Sequence, residues 1–381
     1  VHLGIDAVEY ALQHPHKLEK VSVVRVSKAG RVYEQPLVEW PQALRRRVLD
    51  RVFPVRGGVE IDGRRAAELD EGQVRRVAER LRGARNVVVS SPFSPVYPED
   101  ELKVQQLLSS ELGQGVRVVA SHQVVADMGF AYRENSAILN ASMAESAAEI
   151  LNEVEVGLAN LGVSAPVFTL LNSGLQLPAE VLRQLPILSS GAGFAATAIG
   201  VCSVMKVTEA IVVERTEGDT VIMGAVHGGL VVMRDAVEVD GFRLNVGGPL
   251  TYVTRREASE VLKLGHYFFA AVCGEKIFST LTAEESRELA GRLGKEVVHV
   301  DEPAAPAIGA VTAPHGIRLV RVYPPRTSME EAKRSLSEEL KQTGRRLGIE
   351  VDGASMSMYE ASIATLPADS KRLLGVLQVS P

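Results

Sequence analysis

Two periods of hydrophobic spacing alternate along this chain. Short runs rich in apolar and β-branched residues, at residues 21–26, 86–90, 115–120 and 210–215, read as strands. Stretches with a 3.6-residue period lie between and after them, at residues 71–82, 99–112, 134–160 and 283–293. The longest of these carries its apolar face on Ile138, Ala141, Ala148, Leu151, Val154 and Leu158. Such alternation predicts an α/β fold, with a mixed or parallel sheet covered by helices.

The same pattern organises residues 132–200 into a helix, an apolar strand ending in Asn172-Ser173-Gly174, and a turn, Ser189-Ser190-Gly191-Ala192-Gly193, that opens a helix. Elsewhere it predicts a first strand ending at Asp6 and a hairpin pairing 21–26 with 31–34. A helix over 41–52, with Arg45, Arg46 and Arg47 toward solvent, precedes a small hairpin over 57–63. Three prolines make 91–98 a loop. Later strands fall at 220–225 and 229–234, with Glu217-Gly218-Asp219 as a turn, followed by helices over 255–264 and 267–280, a strand at 296–300 and a helix at 304–313. From residue 317 the order is strand, charged helix (328–347), strand, strand, which places a boundary near His315-Gly316. Three domains result: 1–130, 131–315 and a small α+β unit, 316–381.

Composition changes little in this picture. At 381 residues and 46% hydrophobic content the chain can bury substantial cores. Only 5% is aromatic, so those cores are aliphatic. A net charge of -5 argues against nucleic acid and against an anionic membrane surface as partners. No apolar run reaches the ~18 residues of a membrane span. Cys202 and Cys273, at no metal-like spacing, read as reduced thiols, so a cytoplasmic protein is expected.

Glycine and small polar residues at helix N-termini are where anions are commonly held. Asn172, Ser173 and Gly174 with Ser189, Ser190, Gly191 and Gly193 offer hydroxyls and amides for an adenosine or a cyclic amide. The competing reading is helix capping and close packing. His122, after Ser121, sits at a strand end where functional residues gather. His227 precedes Gly228-Gly229, either open to a ligand or simply in a hairpin turn. No second histidine lies at a metal-binding spacing from His122, so a metal would need distant partners such as Asp127 or Glu134, and the metal is left unknown. There is no Gly-x-Ser-x-Gly elbow and no Walker loop.

One set of segments is more specific. Residues 132–141, Tyr-Arg-Glu-Asn-Ser-Ala-Ile-Leu-Asn-Ala, follow a strand ending in Ser121-His122 and precede Leu171-Asn172-Ser173-Gly174-Leu175. Then come Ser189-Ser190-Gly191-Ala192-Gly193, Gly248-Pro249 leading to Thr254, and Ala307-Ile308-Gly309-Ala310. In this order the chain resembles the hydantoinase A-type members of the hydantoinase/oxoprolinase family over roughly residues 1–315. The resemblance implies an actin-like, ribonuclease-H-type fold of two lobes about a cleft. It implies ATP and Mg as cofactors, opening of cyclic amides or carboxylation of ketones, and a companion hydantoinase B-type subunit in an oligomer. It also implies Asp6 as a catalytic carboxylate facing metal-bound water or phosphate; Arg133, within the resembling segment, joins His122 and His227, chosen by their own positions, as the substrate-binding candidates. For Asp6, capping of the following segment is an equal alternative.

Two segments depart from the family. Where it carries Asp-x-Gly-Gly-Thr-x-Thr-Asp, this chain has Asp6-Ala7-Val8-Glu9-Tyr10. Where the second Gly-Gly-Thr turn belongs, it has Glu214-Arg215-Thr216-Glu217-Gly218-Asp219-Thr220. A phosphate turn needs small residues with positive-φ freedom, and an acidic side chain there repels phosphate. Two functions are therefore expected in competition: an ATP-dependent cyclic-amide hydrolase subunit, or a noncatalytic relative that kept the fold to bind another ligand or a partner.

Overall fold

The computed structural model describes residues 1–29, 34–215, 220–239, 242–255, 259–361 and 370–379. Four strands form an all-parallel sheet in the order Leu49–Arg56, Val21–Ser27, Asn86–Ser90, Arg117–Ala120. Period-two alternation splits its valines between two cores. Val24, Val26, Val87 and Val89 pack on the helices Glu71–Arg80 and Glu99–Leu112. Val23 and Val88 pack on Ala137, Ile138 and Ala141 of the long helix Phe130–Asn160. Both edges of Val21–Ser27 are thus taken by parallel neighbours, which corrects the expected hairpin with 31–34. Residues 30–33 of that hairpin lie outside the described residues. The helix expected over 41–52 stops at Val48, and Leu49–Arg56 turns to a strand with Phe53 and Val55 buried in alternation. Its edge position is what tolerates Pro54.

A mixed six-stranded sheet runs His2–Leu3, Phe168–Leu170, Gln176–Pro178, His315–Tyr323, Lys371–Val379, Ser355–Ala361. Segments 1–130, 131–315 and 316–381 each contribute strands to it. The helix Met329–Arg346 covers one face, with Leu336 and Leu340 against Leu373 and Leu377. The first strand is shorter than expected. It ends at Leu3, because the Asp6 carboxylate caps a helix, Ala7–Gln13, as a good N-cap residue does.

The second large sheet runs Leu230–Val231, Thr220–His227, Ala210–Arg215, Ile277–Ser279, Val297–His299, with Thr251–Arg255 also paired to Thr220–His227. The two helices expected over 255–264 and 267–280 are one, Ser259–Cys273, followed by a strand. Gly265 does not break it. A Cβ there would lie 2.9 Å from the Tyr252 ring, so the glycine serves helix-on-strand contact. Between the two large sheets run the helices Ala192–Met205 and Ala305–Thr312, and the core they share spans Leu170, Ala195, Ala198, Val212, Val226, Phe278 and Ala305. They cross backbone to backbone: a Cβ on Gly200 would fall 1.8 Å from Ala305 O, and one on Gly309 1.8 Å from Ala196 O. The molecule is α/β, its two sheets facing each other across a helix pair in the actin-like manner, with the parallel four-stranded layer inserted between the first strand and the rest.

Candidate functional site

Asp6 lies between two helix N-termini. One oxygen accepts from Val8 N at 3.1 Å and Glu9 N at 3.0 Å; the other accepts from Gly191 N at 2.6 Å. Gly191, in the left-handed region at φ 80°, is the N-cap of Ala192–Met205. Partial positive charge from both helices therefore converges on this carboxylate. Burial nonetheless raises its pKa to about 6, the backbone donors pulling the other way.

The serine and asparagine turns gather around the same point. Ala7 N donates to Ser189 Oγ at 2.8 Å, and the Ser189 hydroxyl donates to Pro186 O at 2.7 Å. Asn172 N donates to Leu188 O at 2.8 Å, and its side-chain amide donates to Gly247 O. Ser173 Oγ accepts from Leu175 N at 3.4 Å, and Gly174, at φ 76°, closes the turn through Leu171 O. Ser190 is buried and its backbone N–H bonds Ile187 O at 3.3 Å. Gly193 is exposed, with open space where a side chain would project. The seven cofactor candidates and Asp6 thus form one cluster, most of whose polar atoms are already bonded within the chain.

Arg133 and His122 belong to a different cluster, at the C-terminal edge of the parallel sheet. Arg133 is fully buried. It donates to Asp127 O at 2.6 Å, Ser121 Oγ at 3.1 Å and Pro92 O at 3.1 Å, and also to Ser91 O. Burial pushes its pKa down to about 10 against the pull of Glu101, Glu134 and Asp127. Glu101, which the sequence reading did not single out, is the hub. It accepts from Ser91 N, Ser94 Oγ and Ser121 Oγ, each at 2.7 Å, from His122 N at 3.2 Å, and from His122 Nδ1. Burial pushes this carboxyl up, but the His122 bond and the His122 and Arg133 charges outweigh it and hold the pKa below the usual range. With Glu101 ionised, Nδ1 is the donor, and Nε2 is the remaining nitrogen of the His122 ring. Arg25 and Glu134 make a second buried pair beside it.

His122 also lines a cavity of about 160 Å³ where the parallel sheet meets the first large sheet and the segment 245–247. Its wall includes Leu185, Leu188 and Val246, the carboxylates Asp127 and Asp235, and the arginines Arg318, Arg321 and Arg372. The cavity touches the turn cluster through Leu188 and Gly247, the two residues whose carbonyls hold Asn172. His227 is placed apart from both. It is exposed at a hairpin end, and its Nδ1 lies 2.7 Å from Glu209 Oε2.

Glu214 enters the sequence reading only as part of a replaced turn; residues 216–219 of that turn lie outside the described residues. Its pKa is raised to about 7 by burial, opposed by a hydrogen bond from Thr197 on the helix that Gly191 opens. Two buried carboxylates, Asp6 after the first strand and Glu214 near the end of Ala210–Arg215, therefore meet the first turns of one helix. Only the strand and helix positions, not any residue spacing, would have paired them. Among the described residues no three His, Cys, Asp or Glu side chains come together as a metal site, and no helix is long and apolar enough to cross a membrane.

Residues 12–112 match the family profile described as the hydantoinase/oxoprolinase N-terminal region. No curated protein sequence matches the chain. The nucleotide-free acetone carboxylase, solved in a study of ATP-dependent acetone carboxylation, superposes with a TM-score of 0.62 at 12% identity, over 99% of this chain and 78% of that one. The ATP-dependent caprolactamase from Pseudomonas jessenii superposes with a TM-score of 0.67 at 13% identity, over 98% of this chain and 78% of that one. The fold is theirs.

Proposed function

We propose that the chain, whose residues 12–112 match the hydantoinase/oxoprolinase N-terminal region, is a divergent and noncatalytic member of that family, which kept the fold to bind a ligand or a partner. The observation that carries this reading is the seat of Asp6. Both its oxygens are engaged by backbone N–H groups of two helix N-termini, and the residues after it form a helix in place of a glycine turn. An anion already fills the place where phosphate would be received. The bulk of Val8 and the charge of Glu9 beside it do not fit a triphosphate with Mg. Arg133 acts as a clamp for the loop at 91–94, and His122 faces the cavity. A companion hydantoinase B-type subunit, an oligomeric assembly and a cytoplasmic setting belong to the same proposal. Two buried free thiols, Cys202 and Cys273, with pKa values pushed by burial to about 12 and about 11, suit that setting.

Calorimetric titration with Mg-ATP and Mg-ADP tests the reading. A bound nucleotide at a hundred times its Kd would add about 2.7 kcal/mol of stability; no heat and no thermal shift are expected. Saturable Mg-ATP binding, with hydrolysis lost in Asp6→Ala, would overturn it. The second reading, an ATP-dependent cyclic-amide hydrolase subunit, draws on Glu214, which bonds Thr197 on the helix Ala192–Met205, whose N-cap Gly191 donates to Asp6. It requires turnover of hydantoins or 5-oxoproline with ATP.

A further inference from the structure

Three arginines and two aspartates line the cavity beside the turn cluster, and Glu339, paired with Arg321, evens the charge. Arg321 is held by Glu339 in a bidentate pair. Arg372 is 3% exposed; Nη1 donates to Asp235 Oδ2 at 2.8 Å, and Nη2 stands 3.7 Å from Asp127 Oδ2. Its Nε, shut off from solvent, has no hydrogen-bond partner among the described residues. Arg318 is more weakly held, its ion pair with Asp235 standing at 3.7 Å. Burial and the nearby Arg372 charge push the Arg318 pKa down to about 10, against the pull of Asp235. Neither aspartate is a free counter-charge. Asp235 is committed to both arginines, and Asp127 takes Met128 N at 2.6 Å. A guanidinium fork with an unmade N–H bond is the group proteins use to bind carboxylates.

The opposite wall is apolar, made by Leu185, Leu188 and Val246, while the His122 ring, fixed by Glu101, adds one polar atom. At about 160 Å³ the space is close to the ~150 Å³ that holds a benzene ring. From these observations we infer that the cavity is the binding site of a small carboxylate with a short apolar tail, its carboxylate held by Arg318 and Arg372 and its tail against Leu185, Leu188 and Val246. The inference extends the binding reading above by naming the site and the ligand class. It involves no nucleotide, so either can fail alone.

Butyrate, about the right size, is the probe, titrated calorimetrically into the full chain. Butylamine and inorganic phosphate serve as comparison arms. Butyrate is expected to bind one to one with a Kd near 1 mM or tighter. Arg318→Gln is expected to weaken it about tenfold or more, and Arg372→Gln likewise, each variant first checked for a cooperative melt. In wild-type protein carrying labelled histidine, butyrate should move the His122 ring signals and leave His227 unmoved; this readout decides if both variants fail to fold. Absence of butyrate binding, equal binding in folded variants, or an unmoved His122 overturns the proposal. Phosphate or butylamine binding in preference to butyrate overturns the ligand class.

Discussion

Single side chains already discriminate between the readings. Asp6→Ala leaves three backbone N–H donors without their acceptor, and a loss of about 1–3 kcal/mol in denaturant unfolding is expected. Glu214 has a folded pKa near 7, above its unfolded value, so the folded state binds the extra proton. Its contribution to stability therefore rises as pH falls from about 8 toward 5 and is lost again above 7. Comparing wild type with Glu214→Gln across that range isolates the effect: wild type should gain of the order of 2 kcal/mol relative to the variant on acidification. The sequence places Asp6 at a strand end and allows it to be a cap. It does not reveal that the second oxygen meets Gly191, because that contact joins residues 185 positions apart. Glu101 is hidden for a related reason: its donors come from the loop at 91–94 and from Ser121-His122 beyond the next strand, and no residue period links them.

Among elements, local period carried the prediction wherever one face was buried. Strand 86–90 and helices 99–112 and 283–293 fall where the spacing placed them. Prediction failed where tertiary contact overrode a local signal. Residues 255–264 and 267–280 read as two helices and form one helix and a strand; residues 49–52 read as helix and form an edge strand. The glycines of Ala192–Met205 and Ala305–Thr312 give a paired test. Gly309→Ala forces a Cβ onto the Ala196 carbonyl and should cost about 2–3 kcal/mol. Gly193→Ala meets nothing within 4 Å and should stabilise the same helix by about 0.5–1 kcal/mol. At the parallel sheet, Glu101→Gln leaves Arg133 buried without its main counter-charge, and a loss of about 3–5 kcal/mol is expected from thermal and urea melts.

For the whole molecule, collinear motifs made the α/β, actin-like architecture legible although identity to the two structural neighbours is only 12% and 13%. The cavity was not legible at all, because its wall is drawn from residues 122–127, 185–188, 235–247 and 318–372. If the chain binds a carboxylate there and no nucleotide at Asp6, butyrate should raise the melting temperature and Mg-ATP should leave it unchanged. At Gly200 and Gly309, two helices that meet through bare backbone have no layer of side chains to take up a displacement, so any side chain added at the crossing would wedge apart the core that both large sheets share.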